Sequence, residues 1–115
     1  DVEKTLLDCF DLPQHAGGYE ELIRAFYSAK IKDGKLLKYA IQMNNLSVIK
    51  RVGYLSALFE MGSLGKFREK AQRLINKRYA LLDPMGEDTG KFNSSWRLRI
   101  NIPEEKLLGI IQKMY

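Results

Sequence analysis

The stretch Trp96-Arg97-Leu98-Arg99-Ile100-Asn101-Ile102 alternates apolar and polar residues without an error. Successive side chains of a strand point to opposite faces, so this period of two predicts a strand with Trp96, Leu98, Ile100 and Ile102 toward a core. Arg97, Arg99 and Asn101 then share the other face. Upstream, Tyr79 to Leu82 is a second, shorter strand candidate. The residues between, Asp83-Pro84-Met85-Gly86-Glu87-Asp88-Thr89-Gly90, are dense in turn formers and read as a loop extending to about Ser95. The simplest pairing of the two strands is an antiparallel ribbon with a long connection.

Before residue 79 the apolar period is 3.6. Leu6, Leu7 and Phe10 mark a short helix over 3–12, ended by Pro13 and Gly17-Gly18. Tyr19, Leu22, Ile23, Phe26 and Tyr27 fall at i, i+3, i+4, i+7 and i+8, the clearest helical stripe in the chain. Asp33 is placed to cap a third helix carrying Leu36, Leu37, Ala40 and Ile41, which Asn44-Asn45 interrupts. A fourth runs from about Leu46 to Glu60, with Val48, Ile49, Val52, Leu55 and Phe59 inward. Gly53 inside it costs ~1 kcal/mol relative to Ala, which suggests a close helix contact there. Ser63 is placed to cap a fifth helix through Asn76, whose seam is Leu64, Phe67, Ala71 and Leu74. After the ribbon, Pro103 and Glu104-Glu105 open a last helix with Leu107, Leu108, Ile111 and Met114 inward. The expected fold is mainly α within the α+β class: about six helices and a two-stranded antiparallel β-ribbon near the C-terminus, in one domain spanning 1–115.

The charge is uneven. Residues 1–29 hold two Lys/Arg against six Asp/Glu, residues 30–78 hold twelve against three, and residues 79–115 hold five against five. The excess of +9 in the middle segment outweighs the chain's net +5 and suits nucleic acid or an acidic protein surface. Lys66, Lys70, Arg73 and Lys77 share one face of the fifth helix, flanked by Arg68 and Arg78. Arg97 and Arg99, side by side on a sheet face, repel unless something negative meets them. Two sources fit: a carboxylate from the acidic first helices, or an external phosphate or carboxylate that guanidinium groups bind in bidentate fashion.

Other chemistries find little material. Cys9 and His15 stand alone of their kinds, so neither a disulfide framework nor a zinc cage is expected, and a reducing cytoplasm is the natural setting. Gly86 and Gly90 lack the Lys-Ser/Thr pair of a phosphate-cradling loop. Asp83, Glu87 and Asp88 would be the metal-holding carboxylates of a small nuclease if they converged, but a solvated acidic loop is the simpler reading. No apolar run approaches the ~18–20 residues of a membrane span. The chain opens on Asp1 directly into a helix, as expected of a segment cut from a longer protein.

Several of these residues also carry a family resemblance. Arg51-Val52-Gly53-Tyr54-Leu55, then Tyr79-Ala80-Leu81-Leu82-Asp83-Pro84, then Asn93-Ser94-Ser95-Trp96-Arg97-Leu98-Arg99-Ile100-Asn101 resemble the C-terminal domain of AbiEi-like antitoxins. The opening Glu3-Lys4-Thr5-Leu6-Leu7-Asp8-Cys9-Phe10 with Gly17-Gly18 is similar to that family's entry into the domain, so the resemblance covers nearly the whole chain. It implies a prokaryotic transcriptional regulator and antitoxin of a type IV toxin-antitoxin (abortive infection) system. An N-terminal winged helix, absent here, would bind operator DNA. The present domain would relieve the toxicity of a cognate nucleotidyltransferase-type toxin, with or without a stable complex. Arg51, Gly53, Tyr54, Asn93, Trp96, Arg97, Arg99 and Asn101 match the family pattern, with Gly53, Tyr54 and Trp96 structural.

The leading expectation is therefore a non-enzymatic domain without cofactor, metal or membrane. Its binding residues would be Arg51, Lys66, Arg68, Lys70, Arg73, Lys77, Arg78, Arg97, Arg99 and Asn101. The alternative is a winged-helix DNA-binding module, with helices over 33–76, a ribbon over 79–102 and the 83–95 connection as wing.

Overall fold

In the computed structural model, which describes residues 1–114, helix α4 (Leu46–Leu58) occupies the centre because its sequence leaves it almost no wet face. Every residue from Val48 to Ser56 is buried. A helix covered on all sides needs neighbours all round, and α1 (Val2–Asp11) and α5 (Gly65–Leu74) pack directly against it. Helix α3 (Asp33–Met43) bridges α1 and α5, while α2 (Tyr19–Ser28) lies against α1 and α6 (Glu104–Gln112). Their apolar stripes merge into one core containing Phe10, Phe26, Leu55, Phe67 and Leu98, with Phe10 and Phe26 in edge-to-face contact at 5.1 Å. The mainly α, α+β architecture expected from the two periods is the one observed. Among the described residues no helix is long and apolar enough to cross a membrane.

The Asn44-Asn45 pair divides its labour. Asn44 ends α3 in the left-handed conformation at φ 53°, and the Asn45 side chain caps α4 by accepting from the Val48 amide at 3.2 Å. Asp33 serves a different helix from the one expected. It lies inside the first turn of α3, and its carboxylate accepts from the Phe67 amide at 2.9 Å, so it caps α5 across the interface while Ser63 makes no cap. Helix α5 also stops earlier than its periodicity implies: the chain turns extended at Ile75, and residues 75–79 are a linker.

The sheet corrects the expected two-stranded antiparallel ribbon. It has three short strands, β1 (Ala80–Leu81), β2 (Lys91–Asn93) and β3 (Leu98–Ile100), in the order β1-β3-β2. Strand β2 lies within the segment expected to be loop, too short and too exposed to show a period. It pairs antiparallel with β3, Phe92 opposite Arg99. Because this strand reverses the chain once more, β1 runs parallel to β3.

Trp96 belongs to the turn Ser94–Arg97 between β2 and β3, not to a strand, with its amide held by the Asn93 side chain at 2.8 Å and Arg97 left-handed at φ 53°. Its buried indole lies flush on Gly53, where a Cβ would come within 2.2 Å of the ring. The close contact expected at Gly53 is thus with an indole instead of a helix. Leu98 and Ile100 face the core as predicted, and Ile102 is half-buried. In α6 the buried positions are Leu107 and Ile110, with Leu108 and Ile111 packed at the margin.

Candidate nucleic-acid interface

Two of the ten expected binding residues are part of the scaffold. Arg51 is buried in α4, donating through Nε to the Leu81 carbonyl and through Nη1 to the Phe10 carbonyl, both at 3.0 Å. Its guanidinium ties β1 and the end of α1 to the central helix, and burial depresses its pKa. Asn101 donates to the Asp83 carbonyl at 2.9 Å and the Glu87 carbonyl at 3.0 Å, and accepts from the Asp83 amide at 2.9 Å. Both ends of the amide are thus occupied by the 83–90 loop.

Helix α5 carries Lys66, Lys70 and Arg73 on its exposed side. Among the described residues the only carboxylate paired with them is Glu69, 3.8 Å from Arg73, a pair more than two-thirds exposed at both ends and worth little in water. Asp33 lines the same hollow as Lys66 and Lys70. Arg68 turns inward at its tip, donating to the Met61 carbonyl at 2.9 Å. Lys77 is not on this helix: α5 ends at Leu74, so the expected i, i+4, i+7, i+11 row is broken after Arg73. What the linker does instead is carry Lys77 and Arg78 across to the β2–β3 turn. Gln72 Nε2 donates to the Ser95 carbonyl at 2.9 Å, joining the end of α5 to that turn. Between them lies a groove of about 230 Å³ whose walls include Asn76, Lys77, Ser94, Ser95 and Arg97.

Beneath this groove is a residue the sequence did not single out. Lys50, buried in α4, donates from Nζ to Asn76 Oδ1 at 2.7 Å and to the Arg78 carbonyl. Burial lowers its pKa first, and the positive charges of Arg97, Arg51 and Arg78 lower it further. Among the described residues no carboxylate pairs with Lys50, Lys77, Arg78 or Arg97. Two neutral oxygens hold the ammonium, and the surrounding charge is left positive.

Arg97 and Arg99 resolve their mutual repulsion locally. The Arg97 guanidinium lies 5.6 Å from the Tyr79 ring centre and the Arg99 guanidinium 4.7 Å from that of Phe92. The two rings meet edge to face at 5.0 Å. Arg99 also pairs with Asp88 at 3.1 Å and donates to the Gly90 carbonyl at 3.2 Å. None of the acids of the first helices, expected as a source of compensation, pairs with either arginine among the described residues: Asp1 and Glu3 meet Lys35, Glu3 the Lys32 amide, Asp11 the Asn45 side-chain amide, and Glu20 and Glu21 Arg24.

Phe92 is 61 % exposed and Tyr79 42 %, so the arginines stand on rings that face solvent. Sequence reasoning placed Tyr79 in a strand and Phe92 in a loop without assigning either a role. The available signal was an aromatic residue in the otherwise polar run from Thr89 to Ser95.

The residues considered for catalysis are not assembled. Among the described residues no three His, Cys, Asp or Glu side chains gather at metal-holding distance, so Asp83, Glu87 and Asp88 do not converge. Asp83 Oδ1 accepts from the Met85 amide, and Asp88 pairs with Arg99. Cys9 is buried, and burial raises its thiol pKa. Comparison of the chain with known protein families, curated proteins and solved structures finds no match in any of the three.

Proposed function

We propose that this chain is a non-enzymatic, cytoplasmic domain of a prokaryotic transcriptional regulator of the AbiEi-like kind. It acts as an antitoxin against a nucleotidyltransferase-type toxin and supports the operator binding of a preceding winged helix. The observation that carries the reading is the groove walled by Lys77 and Arg97, with the Lys50 ammonium held against Asn76 and the Arg78 carbonyl, none of the three cations paired with a carboxylate among the described residues, beside the basic side of α5. A surface of this kind acts by complementarity to phosphate or to an acidic partner and needs no reacting group. The resemblance of Asn93-Ser94-Ser95-Trp96-Arg97-Leu98-Arg99-Ile100-Asn101 to the antitoxin family supplies the biological setting.

The winged-helix alternative fits the geometry less well. Its wing would be the 83–95 connection, but that segment contains β2, and the strands it joins run parallel. The deciding experiment is co-expression of this chain with the toxin encoded beside it. Restored growth is expected, and growth arrest unchanged by the chain at matched expression overturns the antitoxin reading.

A further inference from the structure

The exposed face of the sheet combines two features that nucleic-acid recognition uses together. The first is aromatic: Tyr79 and Phe92 are large, solvent-facing and in mutual contact, each with a guanidinium over or beside its ring. Unpaired bases stack on aromatic rings and on guanidinium planes, whereas bases inside a duplex have their faces already covered. The second is electrostatic. Arg97 belongs both to this platform and to the wall of the adjoining groove, where Lys77 faces the Ser94 and Ser95 turn and the buried Lys50 ammonium lies behind Asn76. A phosphate entering there meets positive charge that no carboxylate among the described residues offsets.

Resting on the reading that the cationic face meets nucleic acid, we infer that the Tyr79–Phe92–Arg97–Arg99 platform and the Lys77–Arg97 groove bind an unpaired nucleic-acid strand. Bases stack on the platform, and a phosphate of the same strand lies in the groove. The order of the parts sets the polarity of charge along the strand. Arg99 already has Asp88, so the backbone is held at the Arg97 end and the Phe92 end is chiefly a stacking surface.

A duplex favours the neighbouring basic side of α5. It would lie against the exposed Lys66, Lys70 and Arg73 of α5 and would leave the two rings unused. An acidic protein surface would satisfy the arginines but would leave the solvent-facing sides of the two rings unused.

The test is fluorescence anisotropy of a labelled 12-nucleotide single strand titrated with the full chain, alongside the corresponding duplex and poly-glutamate as a polyanion control. The single strand is expected to bind more tightly than either. Phe92→Ala is expected to weaken single-strand binding by about tenfold, with duplex binding unchanged, on the scale of one lost base–aromatic stack. Phe92→Trp restores the affinity, and its emission is quenched on binding. Because the ring is exposed, thermal denaturation of both variants checks that the fold is intact. Asp88→Asn removes the acid paired with the platform and is expected to tighten single-strand binding.

Equal affinity for poly-glutamate, or single-strand binding indifferent to Phe92→Ala, overturns the platform. Duplex binding without single-strand binding also overturns it, while leaving the regulator reading in place. Growth rescue by the Phe92→Ala chain separates the two further: full rescue with lost single-strand binding means that antitoxin action does not use this site.

Discussion

Gly53 is where the turn between β2 and β3 seats its indole on the central helix. Alanine is favoured over glycine by about 1 kcal/mol inside a helix. Here the added Cβ would stand 2.2 Å from Trp96 Cζ3 and 2.4 Å from Cη2, so the buried indole must shift to admit it. Overpacking of this kind costs about 1–3 kcal/mol or more, so the clash outweighs the gain in propensity. Gly53→Ala is expected to lower stability in urea denaturation and shift Trp96 fluorescence to the red as the ring is displaced.

Arg51 gives the complementary case. Removing its guanidinium leaves the Leu81 and Phe10 carbonyls without their donor, at a cost of about 2–4 kcal/mol for two charge-assisted bonds. Arg51→Met is therefore expected to destabilise the fold, with nucleic-acid affinity per folded molecule unchanged. A weaker affinity in the folded fraction would return Arg51 to the binding surface.

At the scale of elements, the interface between α1 and the loop leading into α3 depends on the ionisation of Glu3. Its carboxylate accepts from the Lys32 amide at 3.0 Å and lies 3.9 Å from the Lys35 ammonium. The amide hydrogen bond is the largest influence, outweighs the burial that works against it, and holds the pKa below its ordinary value of 4.5. A depressed carboxylate pKa stabilises the fold above the unfolded-state value, and that contribution is lost as pH falls through the folded-state value. The stability advantage over Glu3→Gln is therefore expected to be full near neutral pH and to shrink progressively below 4.5, read as converging urea midpoints. A difference constant with pH would mean that Glu3 contributes by packing alone.

Over the whole molecule, the acids and bases separate by where they are used. Asp1, Glu3, Glu20 and Glu21 are tied to Lys32, Lys35 and Arg24, and among the described residues Lys77, Arg78 and Arg97 have no carboxylate partner while on α5 only Arg73 has one, the exposed Glu69. On the proposed reading, that field draws polyanions by counterion release. Replacing both Arg73 and Lys77 with Ala is expected to weaken binding to every nucleic-acid sequence alike. Its dependence on salt should flatten by about one unit for each phosphate that is no longer neutralised. An unchanged salt slope would remove phosphate binding by these two residues from the reading.

Local pattern carried the helices. The stripe Tyr19, Leu22, Ile23, Phe26, Tyr27 marks the inward side of α2, as Leu36, Leu37 and Ala40 do in α3 and Leu64, Phe67 and Ala71 do along α5, because a 3.6-residue period is written in neighbouring residues. Ile41 and Leu74, expected inward, are exposed, and α4 is buried on every side from Val48 to Ser56. The charge asymmetry was legible directly from the order of residues along the chain. Tertiary structure alone decided that β1 runs parallel to β3, that Trp96 turns back onto Gly53, and that Asp33 caps a helix thirty-odd residues away. It also separated Arg51 and Asn101 from the surface arginines and raised Phe92 beside Arg99. Those outcomes depend on which distant group arrives at a given hydrogen-bond donor or ring, and the period of a single segment contains no information about its future neighbours.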